Sequence, residues 1–272
     1  MSMRLSILAA TSIALALTSV SDARDSVDAA APTPMNLNIV YSGSVIVFRV
    51  ANIQLSGEIG DETYGATARF TTAGLAALFS DADIEAGISG YSAGGLRPWR
   101  YEHLNHSSGS GRVVGIDFPE GLAVPDVVPP FGSMGEPPAN ESQRDGAVDP
   151  VSALLRLGLR QSSEPGELCS GRIPVFDGKA RYDLRLEVAG SNDIRTRAWR
   201  GNAVRCHAYY EPIAGYDPED MPSESDIAEP VVLWLAPFND DQIYLPVRIR
   251  TNSGFGAITI EARSISVEPV AE

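Results

Sequence analysis

Apolar and polar positions alternate with period two along most of this chain from Asn36 onward. Leu37, Ile39 and Tyr41 interleave with Asn38, Val40 and Ser42, and Ser44-Val45-Ile46-Val47-Phe48 continues as strand. Successive side chains of a strand point to opposite faces, so such a run offers one face to a core and one to water. Gly43 interrupts the run and predicts a bulge or a sharp bend. Residues 53–57 and 63–71 read as the next two strands, with Gly60-Asp61 in their turn, which makes an antiparallel meander. Further strands are expected at 84–89, 98–105 and 111–118, then at 173–176, 181–188, 198–210, 231–236, 243–251 and 257–267. Asp177-Gly178, between two of them, is a strong hairpin-turn signal.

Helical spacing shows in two places only. Leu75, Leu78 and Phe79 stand at i, i+3 and i+4 within residues 73–79. A clearer helix spans 149–159: Asp149 can cap the orphan amides, Pro150 takes the first helical position, and Val151, Leu154, Leu155 and Gly158 trace one face. Just before it, residues 129–148 hold four prolines and three glycines and read as a long loop. A structureless stretch of that length is uncommon in a compact domain and is either functional or mobile. The prediction is a mainly β fold of about a dozen strands: a curled antiparallel sheet or incompletely closed β-barrel with two short helices.

The first residues follow a different pattern. Arg4 is the only charge before Asp22, and the apolar run 5–17 is shorter than the ~20 residues a membrane-crossing helix needs. A basic start, a short apolar run and the small-x-small sequence Ser21-Asp22-Ala23 describe a secretory signal peptide over 1–23. No cysteine near that cut offers a lipid attachment point, and no later run is long enough to span a bilayer. Residues 24–35 are rich in Ala, Pro and Asp and read as a disordered leader, leaving 36–268 as one β-rich domain.

Charge narrows the partners. With 21 basic against 35 acidic residues the net charge is −14, which argues against nucleic acid and against simple electrostatic docking on an anionic membrane. The two cysteines, Cys169 and Cys206, read as one disulfide of an oxidising compartment, since no Cys-x-x-Cys redox spacing is present. Closing a loop of about 38 residues would stabilise by at most about 4 kcal/mol.

Tests for chemistry return structural readings. His103 and His106 are three apart on a strand, which sends them to opposite faces, and His207 follows Cys206 directly. No metal site and no cofactor are expected. The spacing Gly90-Tyr91-Ser92-Ala93-Gly94 matches Gly-x-Ser-x-Gly, but it falls between two expected strands rather than at the strand-to-helix turn of a nucleophile elbow, and residues 107–111 read as a flexible hairpin tip. The run 81–85 (Asp-Ala-Asp-Ile-Glu) resembles half a calcium loop but lacks its glycine and its terminal glutamate. Asp177 fits a turn, while Arg181, Asp183, Arg185 and Glu187 share the polar face of a strand and suit ion pairing. Trp99, Trp199 and Trp234 are candidates for core or for the rim of a cavity.

One combination is specific. Cys169-Ser170-Gly171, then Phe176-Asp177-Gly178-Lys179-x-Arg181-Tyr182-Asp183, then Cys206 resembles the central signature of a bacterial family of exported proteins of unknown function. Gly95-Leu96-Arg97-Pro98, Leu233-Trp234-Leu235-Ala236 and Leu245-Pro246-Val247-Arg248-Ile249 are similar to its flanking parts, so the likeness covers about 37–265. The resemblance implies a periplasmic address and a curled sheet related in shape to lipoprotein carriers and envelope-integrity proteins. It brings no enzymatic activity and no catalytic residue. The expectation is a non-enzymatic cell-envelope protein binding a lipid or an envelope protein partner on a concave β surface. The alternatives are a scaffold acting through the 129–148 loop or outer strand edges, and an uncharacterised hydrolase. No ligand and no oligomeric state follows from the sequence.

Overall fold

Among the described residues of the computed structural model (34–78, 81–107, 109–159, 165–239, 243–253 and 256–270), thirteen strands form one open sheet in which every neighbouring pair is antiparallel. The expected signal peptide (1–23), and all of the leader except Pro34 and Met35, lie outside them. Met35 already belongs to the first strand and is 2% exposed, so the domain begins one residue earlier than its pattern suggests.

The sheet consists of two meanders joined at their centre. β1 (Met35–Val45), β2 (Phe48–Ile59), β3 (Thr63–Thr72), β4 (Asp83–Tyr91), β5 (Arg97–Asn105), β6 (Val113–Asp117) and β7 (Val124–Val128) fan out one way. β8 (Arg172–Phe176), β9 (Arg181–Arg195), β10 (Arg200–Ala214), β11 (Val231–Phe238), β12 (Ile243–Ser253) and β13 (Gly256–Pro269) return from the other side. β13 closes on β1, with register from Met35 opposite Pro269 to Val45 opposite Ile258. The expected irregularity at Gly43 is present: β1 slips register with β2 between Gly43 and Ser44.

Four short α-helices accompany the strands, α1 (Glu141–Arg144), α2 (Pro150–Gly158), α3 (Pro165–Leu168) and α4 (Glu224–Ala228), where the pattern predicts two helices. The segment expected to be helical at 73–79 is a 3-10 turn, Gly74–Leu78. One turn of apolar spacing does not distinguish the two geometries. Only α2 has a resolvable period, and it starts as expected, with the Asp149 side chain accepting from the Ser152 amide.

The long 129–148 stretch is not structureless. Asn140 and Gln143 make a reciprocal capping box on α1, the Glu136 amide donates to the Tyr216 carbonyl, and the Gly215 amide donates to Pro137. This linker spans the gap between the two sheet edges. Leu122, just before β7, bridges Asp145, and Val148 pairs in parallel with Val175 on β8. Its bonds to the sheet edges are what proline and glycine content cannot forecast: they depend on partners more than 20 residues away in sequence.

Inside the curl, α2 fills the space. Its Val151 and Leu155 join the core of Leu37, Ile39, Leu55, Ile88 and Tyr101, while Ala153 and Leu157 join that of Leu168, Val175, Leu186 and Leu233. Between α2 and β1, β2 and β12 remains a cavity of about 10 Å³, the size of a single water.

Candidate functional site

The residues of the signature gather at the seam where the sheet edges meet, and they act there as fasteners. Phe176 is 1% exposed in the core. Asp177 closes the β8–β9 turn, its Oδ1 accepting from the amides of Lys179 (2.9 Å) and Ala180 (2.7 Å). Gly178 has φ +103°, and a Cβ there would lie 2.4 Å from Val114 Cγ1 on β6, so only glycine lets the turn touch the opposite meander. Arg181 reaches the linker, donating from Nε to the Gln143 carbonyl at 2.6 Å, and pairs through its other arm with Asp183 at 2.6 Å. The Tyr182 ring packs on Tyr210 with centroids 4.6 Å apart, and the Tyr210 and Tyr216 hydroxyls share a hydrogen bond. Burial raises the pKa of Tyr101, Tyr182 and Tyr216, so the cluster is neutral and donates rather than ionises.

Cys169 and Cys206 form a disulfide with Cα atoms 5.3 Å apart, both buried beside Leu168 and Leu233. It staples the residue after α3 to the middle of β10.

The histidines separate as the strand spacing requires. His103 turns inward, its Nδ1 3.0 Å from the Tyr101 hydroxyl, and burial holds its pKa below the usual histidine value. His106 follows β5 and stands 3.6 Å from Glu85. In the run that resembles half a calcium loop, Asp83 gives both carboxylate oxygens to Arg69, at 2.9 and 2.7 Å. The polar face of β9 is laced with ion pairs, Arg185 bonding Glu187 and, at 2.6 Å, Glu211. The three tryptophans do not converge. Trp99 packs edge-on to Tyr91 at 4.7 Å, Trp199 packs on Phe238 at 5.2 Å, and Trp234 lies on the outer face donating to Asn192.

On the inner side a pocket of about 390 Å³ remains between Pro98, Phe118, Ala147, Val148 and Arg156, and a larger concave surface lies on the opposite face of the first meander. A trough of about 580 Å³ crosses β1 to β5. Cross-strand register explains its floor. Asn38 stands opposite Ser56, Ser56 opposite Thr67, Thr67 opposite Gly87, and Gly87 opposite Glu102, one row of mostly small outward residues. The next row runs Asn36, Glu58, Gly65, Ser89, Arg100. Arg100 forms one wall, pairing with Glu102 and Asp117, each at 3.0 Å, and lying across Gly115, where a Cβ would come 2.7 Å from its guanidinium.

Besides its glycines, Ala66 and Ile88, the lining offers hydroxyls, amides, carboxylates and the Arg100 guanidinium, groups able to hydrogen-bond an extended polar segment. Glu58 and Glu102 are three strands apart, about 14 Å by strand spacing. None of these residues forms a sequence motif; only the register assembles them.

Comparison with known proteins adds kinship. Residues 38–263 match the family described as "Protein of unknown function (DUF3108)". No curated protein matches the sequence. The fold resembles a crystal structure of a beta-barrel-like protein of the domain of unknown function DUF1849 from Brucella abortus, at 10% identity and a TM-score of 0.50, covering 86% of this chain and 98% of that one. A second solved structure, a candidate lipoprotein from Parabacteroides distasonis ATCC 8503, is similar at 11% identity and a TM-score of 0.34, over 86% of this chain and 97% of that one.

Proposed function

The chain belongs to the DUF3108 family of proteins of unknown function, and from that premise we propose that it is an exported, non-enzymatic protein of the periplasm that supports the cell envelope by binding a partner along the outer trough of β1–β5. The trough itself carries the reading: about 580 Å³ of open concavity, floored by glycine, serine and threonine and edged by charge. Export is supported by the apolar leader of the sequence and by the Cys169–Cys206 bond, which belongs to oxidising compartments. A lipid carried through the centre of the curl is not part of the proposal, because α2 occupies the space between β1, β2 and β12.

Gly87 offers a direct test, since a Cβ there would have no atom within 4 Å. Gly87→Trp therefore fills the trough without displacing the fold. In a deletion strain sensitised to detergent or chelator, the wild-type gene restores tolerance and the Gly87→Trp gene, expressed to the same level, does not. A photo-crosslinking residue at Thr67 captures the partner, whereas one at the exposed Asp193 does not. Full restoration by Gly87→Trp overturns the proposal.

A further inference from the structure

The turn joining β1 to β2 exposes three consecutive apolar residues: Ile46 is 63% exposed, Val47 79% and Phe48 55%. Ile46 has φ +59°, a conformation that strains a β-branched side chain and that Gly or Asn would adopt freely. The tip thus keeps large apolar side chains in water at a cost in backbone strain, with no core contact in return.

Charge near the tip is segregated. In a chain of net charge −14, β1, residues 48–57 of β2, β12 and residues 256–260 of β13 carry no carboxylate, and their charges are Arg49, Arg248, which pairs with Glu261, and Arg250. On the other side of the tip, at the β3–β4 end, stand Asp81 and Asp83, the latter paired with Arg69. Two strands from the tip, a groove of about 340 Å³ opens on the outer face with Arg205, His207 and Arg250 in its lining and no acidic side chain. Arg250 has no ion-pair partner among the described residues, while Glu229, whose carboxylate accepts from Asn252 at 3.0 Å, keeps one negative charge at the edge of the groove. Register fixes the relative height: the Ile46 amide donates to Ala257 at 2.8 Å, Ala257 pairs with Asn252, and Arg250 lies two residues lower, roughly 7 Å. Interfacial segments bury their apolar side about 5–10 Å into the boundary between headgroups and acyl chains.

We infer that this end of the sheet docks on a phospholipid bilayer, with Ile46, Val47 and Phe48 entering the interface and Arg205 and Arg250 receiving lipid phosphates. The net charge opposes attraction of the whole protein to an anionic surface, and the fold overcomes this locally by gathering arginines beside the tip. The binding is peripheral and separate from the trough.

Flotation of the purified protein with vesicles of phosphatidylethanolamine and phosphatidylglycerol tests it. The wild type floats with the vesicles, and Val47→Asp, a change at a fully solvated site, binds at least about tenfold more weakly. The double variant Arg205→Ala/Arg250→Ala weakens binding to these vesicles by about tenfold and to phosphatidylcholine, whose phosphate is balanced by its choline, by less. A wild-type protein that stays in the dense fraction overturns the inference, as does Val47→Asp floating like wild type. Wild-type flotation by the double-arginine variant overturns the role of the groove.

Discussion

Replacing Asp149 by Asn isolates the electrostatic cost of the best-formed helix in the molecule. Asp149 is fully buried at the start of α2, where one carboxylate oxygen accepts from the Ser152 amide at 2.8 Å and the other has no partner among the described residues. Loss of water around the charged form is the largest influence on the group and pushes its pKa up to about 6, against the lowering effect of the Ser152 hydrogen bonds. In the unfolded chain the same carboxyl titrates near 4. Folding therefore takes up a proton between about pH 4 and pH 6. Stability from this group is fully present below about pH 4 and is lost as pH rises through 6, amounting to about 3 kcal/mol at neutral pH. Asn keeps the capping oxygen and cannot ionise, although its NH2 group, set where an oxygen now lacks a partner, adds a pH-independent penalty of about 1–3 kcal/mol. The diagnostic is thus the slope. Urea denaturation of both proteins at a series of pH values from 4 to 8 should show Asp149→Asn gaining about 2–3 kcal/mol on the wild type across that range. A constant difference between the two curves would refute the reasoning.

Cys206→Ser, which opens the disulfide to Cys169, should lower stability by about 2–4 kcal/mol in non-reducing thermal melts, while the protein keeps its strand signature in circular dichroism. Gly178→Ala forces a Cβ into Val114 at a φ of +103° and should cost more than about 1 kcal/mol. Proteolysis of that variant should begin in the 129–148 linker, which is fastened at this seam; an unchanged melting temperature and cleavage pattern would show that the turn does not hold the two edges together.

Much of the fold was legible because strand alternation is local. The burial of β1, with Leu37, Ile39 and Tyr41 inward and Asn38 outward, follows directly from the period-two pattern. Asp149-Pro150 announced α2 because a cap and a preset φ act within one turn, and with only two cysteines present the partner of Cys169 was not in question. The signature at 176–183 was visible as a unit, but its work as a seam was not, since the contacts of Arg181 with Gln143 and of Gly178 with Val114 cross the chain.

By itself, then, the sequence determined the class of fold, the cap of its principal helix and the chemistry of its single covalent cross-link, all set by neighbours a few residues apart or by count alone. Tertiary structure decided the rest: the meeting of β1 with β13, the filling of the curl by α2, and the assembly of Ser56, Thr67, Gly87 and Glu102 into one row. It also decided that Arg205 and Arg250 line one outer groove while Ile46, Val47 and Phe48 stand exposed at the β1–β2 turn. Those arrangements rest on cross-strand register and long-range packing, in which each residue's neighbour is set by the path of the whole sheet.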